Sequence, residues 1–221
     1  MKLTIFAATG GIGRHVVDQA VAGGHDVTAV ARNPRDLPAQ ARLVTADLSA
    51  PDPAMLEAAV GGADAVLSGL GPRSRADSGI TSRGTGPILD AMRISGVRRI
   101  VVVSAAPVGT VASPGQPHPP RHDPGEGLLM RYVMTPAVKW VLREHYQDLA
   151  LMEDMLRDSG LDWTAVRPPR LTNSPETREY RTAYGRNLPG GTVISRADVA
   201  HAMLWALEQP ESIGKTLGVA R

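Results

Sequence analysis

The amino-acid sequence predicts an α/β protein built on a doubly wound parallel sheet with helices on both faces. Two observations lead to this prediction. Short, almost wholly apolar runs alternate with longer segments of helical periodicity along much of the 221 residues. This alternation is typical of buried parallel strands joined by crossover helices. The first apolar run, Leu3 to Ala8, also ends in a glycine-rich turn that leads directly into a helical segment.

The turn after the first predicted strand has the spacing of a phosphate-binding corner. It reads Ala8-Thr9-Gly10-Gly11-Ile12-Gly13. Glycine at positions 10 and 13 lets a diphosphate approach the backbone and lets the helix pack closely on the strand, and the helix N-terminus attracts negative charge. Ala7 stands where the usual pattern has its first glycine, so the strict G-x-G-x-x-G form is absent. A glycine turn that binds no ligand is the alternative.

Arg32 follows the second predicted strand, Asp26 to Ala31, and lies 19 residues after Gly13. An acidic residue at this position would bond the ribose hydroxyls of NAD, whereas an arginine accepts the 2′-phosphate of NADP. We therefore expect NADP(H) to be preferred over NAD(H), with Arg35 and Arg14 adding positive charge. The alternative is that all three arginines belong to a solvated surface.

The next two predicted strands bring further candidate residues to the same edge of the sheet. The third strand ends at Asp47 and Leu48, where an adenine ring would lie beside the backbone. A helix over residues 52–60 leads to a fourth strand over 63–68. The segment Gly69-Leu70-Gly71 follows it, and its small residues leave room for a ligand.

A proline-rich segment separates the two halves of the chain. It comes after a predicted helix over residues 81–95 and a fifth strand over 99–104. Residues 107–127 hold many prolines and glycines, so we expect a loop, which is either a lid over the site or an insertion without substrate contact. His118 and His122 in this loop fit no metal-ligand spacing, so we expect no metal site.

The remaining segments predict one continuous domain over residues 1–221, because no linker or repeat divides the chain. The predicted elements are a helical stretch over 128–158, a sixth strand over 161–166, a short strand over 192–194, a helix over 196–208 capped by Ser195, and a last edge strand over 217–219.

Composition excludes several classes of protein. The chain has no cysteine, which rules out disulfides, thiolate metal sites and a cysteine nucleophile. Its net charge is +2, its basic residues are scattered, and it has three Trp, four Tyr and one Phe, so we expect no nucleic-acid partner. No apolar run approaches the ~20 residues that cross a bilayer, and no signal peptide is expected. We therefore predict a cytoplasmic protein with no membrane partner. Without a sustained heptad pattern the oligomeric state stays open.

Several different short motifs lie at the positions where such a sheet would hold a dinucleotide. They lie at residues 8–13, 30–33, 46–48, 102–105, 158–164 with 167–169, and 193–200. Together they resemble the atypical short-chain dehydrogenase/reductase group, and within it the NAD(P)H-binding proteins that include biliverdin-IXβ reductase/flavin reductase. The resemblance covers nearly the whole chain except residues 107–127 and the helix after them. It implies a Rossmann sheet with a small C-terminal substrate lobe at about 168–221.

The resemblance also implies roles for particular residues. The implied cofactor-binding residues are Ala8, Thr9, Gly10, Gly11, Ile12 and Gly13 for the pyrophosphate, Arg32 and Arg35 for the 2′-phosphate, Asp47 and Leu48 for the adenine, the small segment Gly69, Leu70 and Gly71, and Ser104, Pro168 and Pro169 around the nicotinamide.

Two departures from the group affect the predicted chemistry. Typical members use a Tyr-x-x-x-Lys pair, in which the lysine lowers the tyrosine pKa. Here Tyr146 is followed four residues later by Ala150, and Tyr132 by Pro136, so neither pair exists. Glu153 stands where the flavin and biliverdin reductases have a histidine. It is a candidate acid if burial raises its pKa, and otherwise a carboxylate on the helix surface.

We therefore predict an NADPH-dependent reductase that transfers a hydride to a planar small-molecule acceptor such as a flavin, tetrapyrrole or quinone. The fold would orient the reactants and exclude water, Ser104 would orient the nicotinamide or the acceptor, and the proton would come from solvent. Two other classes stay open. One is a catalytically silent NADP(H)-binding redox sensor of the NmrA type, and the other is an epimerase-like relative of the extended short-chain group.

Overall fold

The computed structural model describes residues 1–72, 77–123 and 142–221. Strands and helices alternate through the first half of these residues, and the predicted α/β class is confirmed. The strands are β1 (Lys2–Phe6), β2 (Asp26–Ala31), β3 (Arg42–Thr45), β4 (Ala65–Ser68), β5 (Arg99–Val103), β6 (Asp162–Arg167), β7 (Arg170–Thr172), β8 (Arg181–Tyr184), β9 (Val193–Ser195) and β10 (Lys215–Ala220). The helices are α1 (Gly13–Ala22), α2 (Pro53–Val60), α3 (Ile80–Ser95), α4 (Arg143–Asp158) and α5 (Arg196–Leu207).

Eight strands form one sheet in the order β3-β2-β1-β4-β5-β6-β10-β8. Neighbouring strands run parallel except β8, which is antiparallel to β10. Strands β7 and β9 form a separate parallel pair. The strand order runs outward from β1 in one direction and from β4 in the other, so the order reverses between these two strands. Ligands of open α/β sheets bind at the carboxyl ends of the strands beside such a reversal.

Two apolar cores lie on the two faces of the sheet. Along β1, Leu3 and Ile5 belong to the core under α1 and α5, whereas Phe6 belongs to the core under α2, α3 and α4. This division follows from the alternation of side chains along a strand. The Thr4 hydroxyl, on the same face as Phe6, donates a hydrogen bond of 2.7 Å to the carbonyl of Ala59 in α2. Both faces of β1 are therefore buried, as its continuous apolar sequence predicts.

The C-terminal segment departs from the prediction. The last strand is longer than predicted, and it lies inside the sheet between β6 and β8 rather than at an edge. Strands β7 and β8 were not predicted, because both sequences are polar and their residues are exposed or half-buried. The predicted cap of α5 is present, since Ser195 Oγ accepts a hydrogen bond from the Asp198 N–H at 2.9 Å.

The proline-rich loop is fixed to the rest of the fold at two points in its described part. Ser113 Oγ and the Gly115 N–H donate to the Asp154 carboxylate at 3.0 and 2.9 Å. Asp123 accepts a hydrogen bond of 2.9 Å from the Asn187 N–H. A short 3₁₀ turn, Ala106–Thr110, is the main regular element here. The rest of the predicted loop, residues 124–127, and the predicted helical stretch 128–141 lie outside the described residues.

No helix among the described residues is long and apolar enough to cross a bilayer.

The contact between β1 and α1 requires glycine at position 13. A Cβ atom there would lie 2.1 Å from the Ala7 carbonyl oxygen and 2.9 Å from its carbonyl carbon. Both are backbone atoms, so neither can rotate away. We expect Gly13→Ala to lower the free energy of unfolding by about 3 kcal/mol, the upper part of the range for overpacking, measured by urea unfolding. The matched control is Gly71→Ala, where no described atom lies within 4 Å of the new Cβ. Equal stability of the two variants would contradict this interpretation.

Candidate functional site

A cavity of about 960 Å³ opens at the carboxyl edge of the sheet. The N-terminal turns of four helices line it: Gly11 and Ile12 before α1, Gly79 before α3, residues 143–145 of α4, and Arg196 of α5. Each helix N-terminus carries partial positive charge, and the N-terminus of α1 has no side-chain cap, so the part of the cavity beside α1 favours an anionic ligand. Its volume is in the range of cofactor and small-molecule sites.

The glycine corner forms one wall of this cavity. Ala7 adopts a left-handed backbone conformation with φ of +55°, and its carbonyl accepts a hydrogen bond of 2.8 Å from the Gly10 N–H. Ile12 at the start of α1 makes no side-chain capping bond, and the first turn holds no acidic residue. Gly10, Gly11 and Ile12 line the cavity, while the predicted Ala8 and Gly13 are buried behind it.

Arg196 reaches the glycine corner from the C-terminal part of the chain. A Cβ atom at Gly11 would lie 2.9 Å from Arg196 Nε, so the guanidinium rests directly against the Gly11 backbone. Arg196 Nη1 also donates a hydrogen bond of 2.7 Å to Asn173 Oδ1. Arg196 was not among the predicted site residues. Its place in the first turn of a helix that begins at the same sheet edge was the available signal.

A smaller cavity of about 60 Å³ adjoins the first and gathers the predicted adenosine-side residues. Arg32, Asp47, Leu48 and Thr9 line it. The Arg32 guanidinium is half-exposed and lies 3.7 Å from an Asp77 carboxylate oxygen. The Ser49 N–H and hydroxyl hold the pKa of Asp47 below its usual value, and the charge of Arg32 lowers it further.

The other two arginines of the predicted phosphate pocket lie elsewhere. Arg35 is exposed and lines neither cavity. Arg14 donates a hydrogen bond to the Asp36 carbonyl. The structure therefore brings Arg32 to the predicted place and gives no support to Arg35 or Arg14 as phosphate-binding residues.

Ser104 lies at the end of β5, lines the large cavity and contacts the buried Glu153. Its hydroxyl donates a hydrogen bond of 2.7 Å to Glu153 Oε1. Arg167 binds the same carboxylate through two bonds, from Nε to Oε1 at 2.8 Å and from Nη2 to Oε2 at 2.5 Å. Arg157 adds a bond of 3.0 Å to Oε2. Both carboxylate oxygens are therefore occupied by donors.

This network corrects the expectations for Glu153. The side chain is fully buried, so it is not a surface carboxylate. It does not line the cavity, and both of its oxygens accept hydrogen bonds from guanidinium groups, so the structure gives no support to a role as proton donor to a ligand. Instead, the Glu153 carboxylate fixes the Ser104 hydroxyl by accepting its hydrogen bond. Because the Ser104 hydrogen is given to Glu153, the hydroxyl faces the cavity as a hydrogen-bond acceptor.

The predicted proline pair and the described part of the predicted loop do not line the cavity. The Pro168 carbonyl accepts a hydrogen bond of 2.9 Å from the Ala106 N–H, and neither Pro168 nor Pro169 lines the cavity. Residues 107–123 of the predicted lid do not line it either. Gly69, Leu70 and Gly71 do line it, as predicted.

The first turn of α4 also lines the cavity, and the sequence did not predict it as part of the site. His145 and Asp148 both line the cavity. The Asp148 carboxylate accepts hydrogen bonds of 2.9 Å from the N–H groups of Thr81 and Ser82, and of 2.5 Å from the Ser82 hydroxyl. It thereby caps α3 from a neighbouring helix and fixes α4 relative to α3. The sequence predicted two helices within residues 128–158 but did not place a helix start at residue 143.

The chain belongs to the NAD(P)H-binding protein family, whose model matches residues 7–210. A Bacillus subtilis protein named as the uncharacterised sugar epimerase YhfK is 29% identical over 218 residues, which cover 95% of this chain and 89% of that protein. An uncharacterised protein of Mycobacterium tuberculosis is 29% identical over 168 residues, which cover 76% of this chain. That region is 14% of the mycobacterial protein, so the chain spans a small part of such relatives.

Solved structures share the Rossmann fold. A candidate exported protein of Burkholderia pseudomallei is 29% identical with a TM-score of 0.75, and the match covers both chains completely. A proposed NADH-flavin reductase of Streptococcus pneumoniae is 23% identical with a TM-score of 0.74, covering 100% of this chain and 99% of that one. A short-chain dehydrogenase/reductase of Veillonella parvula, solved in complex with NADP, is 20% identical with a TM-score of 0.75, covering 100% and 94%. The predicted resemblance is confirmed at the level of family and fold.

The Glu153 network is a structural support whose loss is measurable. We expect Glu153→Ala to lower the free energy of unfolding by about 3–5 kcal/mol, because it leaves the Arg167 guanidinium buried without its partner. The matched control is Asp90→Ala, which removes a surface pair with Arg93 at 2.7 Å and is expected to cost about 1 kcal/mol or less. Thermal and urea unfolding measure both. A loss in Glu153→Ala no larger than in the control would show that the network does not stabilise the fold.

Proposed function

We propose that the protein is a cytoplasmic NADPH-dependent reductase that passes a hydride to a planar small-molecule acceptor. The observation that carries this proposal is the continuity of the two cavities. They share Ala7, Leu70 and Gly71 as lining residues. A single extended ligand would therefore pass from Arg32, across the glycine corner, to Ser104.

The residues along this path fit a dinucleotide. Gly69 lines the large cavity beside the glycine corner, and a Cβ atom there would lie 3.0 Å from the Gly13 nitrogen, so only glycine lets β4 end this close to the start of α1. Arg32 would hold a 2′-phosphate, the N-terminus of α1 and Arg196 would hold the pyrophosphate, and Ser104 would accept a hydrogen bond from the carboxamide of the nicotinamide. When bound, the reduced nicotinamide would supply a hydride.

The acceptor side of the cavity supports a stacking substrate. Besides Ser104, the lining of the large cavity includes the apolar residues Val103, Leu149 and Leu171 and the first turn of α4. Apolar walls with a few polar groups suit a flat conjugated ring such as a flavin, tetrapyrrole or quinone. In this proposal the fold orients the acceptor and excludes water, and the proton that completes the reduction comes from solvent.

A second candidate function is a silent NADP(H)-binding redox sensor. The sequence observation that favours it is the missing Tyr-x-x-x-Lys pair, since neither Tyr146 nor Tyr132 has a lysine four residues later. Of these two, Tyr132 lies outside the described residues, and Tyr146 is buried with its pKa raised by burial. The name of the Bacillus subtilis relative points to a third candidate, an epimerase, which the same missing pair disfavours.

Cofactor choice rests on Arg32. We expect Arg32→Ala to weaken NADPH binding roughly 10- to 100-fold, the value of one or two charge-assisted hydrogen bonds, and to leave NADH binding within about threefold. Arg196→Ala is the matched comparison. Arg196 would hold the pyrophosphate that both cofactors share, so its replacement should weaken the binding of NADPH and of NADH about tenfold. Isothermal titration measures all four affinities. Equal losses of NADPH and NADH in Arg32→Ala would refute the assignment of the 2′-phosphate.

Turnover distinguishes the reductase from the sensor. Protein, NADPH and FMN are mixed, and NADPH oxidation is followed at the absorbance band of the reduced nicotinamide, with FAD and a soluble quinone as further acceptors. We expect oxidation that saturates with acceptor concentration, and slower turnover with NADH. Tight NADPH binding without oxidation by any of these acceptors would end the reductase proposal in favour of the sensor.

A further inference from the structure

His145, in the first turn of α4, lines the large cavity. Its ring is half-buried. The Nδ1 atom is enclosed by protein and has no hydrogen-bond partner among the described residues. Asp148, one turn further along α4, is not available as that partner, because its oxygens accept from Thr81 and Ser82. A histidine with one enclosed, unpaired nitrogen in a ligand cavity is unexplained by the packing around it.

The surroundings of His145 decide where its proton lies. Burial lowers the pKa of the imidazole below its usual value, and the charge of Asp148 opposes this only in part. The ring is therefore neutral at neutral pH and carries one proton. An enclosed polar atom without a partner is costly whether it donates or accepts, but an orphaned N–H is the rarer of the two in proteins. The proton therefore sits on Nε2, and Nδ1 keeps its lone pair.

Ser104 cannot supply a donor at this position. Its hydroxyl hydrogen is committed to Glu153 at 2.7 Å, so toward a ligand it only accepts. Ser104 and His145 therefore offer a ligand opposite hydrogen-bonding roles. Ser104 accepts a hydrogen bond on the β5 side, and His145 donates one on the α4 side.

We propose that His145 is a catalytic residue, which donates its Nε2–H hydrogen bond to the ring carbonyl of the planar acceptor as that carbonyl gains negative charge. The inference rests on the proposed reductase function and narrows its substrate class. The acceptor must carry a carbonyl oxygen conjugated to the atom that receives the hydride, as the isoalloxazine ring of a flavin does.

The electrons of this step balance without a proton from the protein. The carbon–hydrogen bond of the dihydronicotinamide breaks with its electron pair, and an N–H bond forms at N5 of the isoalloxazine. The displaced π electrons move to the N1–C2 carbonyl part of the ring. NADPH is oxidised to NADP⁺, and the flavin is reduced to its monoanion. His145 stabilises that anion by hydrogen bonding and stays neutral, in the way an oxyanion-hole donor does.

Kinetics on three variants test the role. We expect His145→Ala to lower kcat for FMN roughly 100-fold, the cost of removing one such donor, while the Kd of NADPH stays within about twofold. His145→Gln places an amide N–H near the position of Nε2, so it should recover kcat to within about tenfold of the wild-type protein. His25→Ala is the matched control, because His25 lies in the turn before β2 and does not line the cavity. It should leave kcat unchanged.

Nuclear magnetic resonance gives a readout that does not depend on turnover. The protein is labelled with ¹⁵N-histidine, and the His145 signals are assigned by their loss in His145→Gln. We expect the neutral Nε2–H tautomer at neutral pH, and a shift of the Nε2 resonance when FMN is added in the presence of NADP⁺, where no reduction occurs. A proton on Nδ1, a charged ring, or an unmoved Nε2 resonance with FMN bound would each overturn the proposal.

The two proposals fail in different ways. If the wild-type protein binds NADPH but none of the tested acceptors oxidises it, the reductase proposal is wrong. If the wild-type protein is active and the His145→Ala variant has the same kcat, the reductase proposal stands and His145 has no role in the reaction.

Discussion

The structure depends on one close contact, the packing of the first turn of α1 onto the end of β1. At this point the helix backbone touches the Ala7 carbonyl, and no side chain larger than hydrogen fits at Gly13. The contact sets the direction of α1, so that its uncapped N-terminus points into the cavity. Ala7 takes a left-handed conformation to make the turn, at a cost of roughly 1–2 kcal/mol for a residue with a side chain. The burial of both faces of β1 holds this strained corner in place.

A second constraint fixes the opposite side of the site. Glu153 and Arg167 are both buried and lie on different elements, α4 and β6. A buried ion pair of this kind adds little net stability, but losing one partner is costly, so the pair enforces one arrangement of the two elements. The Ser104 hydroxyl donates its hydrogen bond to the Glu153 carboxylate of this pair. The hydrogen-bonding character of the cavity at Ser104 is thus decided by two residues that do not line it.

Local signals predicted the first half of the fold and one half of the site. The apolar runs, the glycine turn and the position of Arg32 after β2 are all readable within about thirty residues of sequence. Because parallel strands bring their carboxyl ends to one edge, Arg32, Asp47 and the glycine corner were expected to meet, and the structure does bring them together. Strand β8 escaped prediction because an edge strand with polar, half-exposed residues leaves no apolar run to find.

The contacts that were not predicted join distant parts of the chain. Arg196 touches Gly11 across 185 positions of sequence, and Glu153 meets Arg167 and Ser104 only after α4 has packed on the sheet. Glu153 looked like a surface carboxylate or an acid because its helix, read alone, has a polar face. A charged residue of an amphipathic helix is buried only where another part of the chain supplies an ion-pair partner. The sequence of the helix alone does not show where that partner lies.

The contact of Arg196 with the glycine corner also has a thermodynamic consequence. Arg196 belongs to a C-terminal segment whose outermost strand, β8, joins the sheet through β10 alone. A dinucleotide held between Gly11 and Arg196 would act as a noncovalent cross-link between the two ends of the chain. By mass action, a ligand at a hundred times its dissociation constant adds about 2.7 kcal/mol to the folded state. The resistance of the C-terminal segment to local unfolding and proteolysis would therefore follow the cell's supply of cofactor.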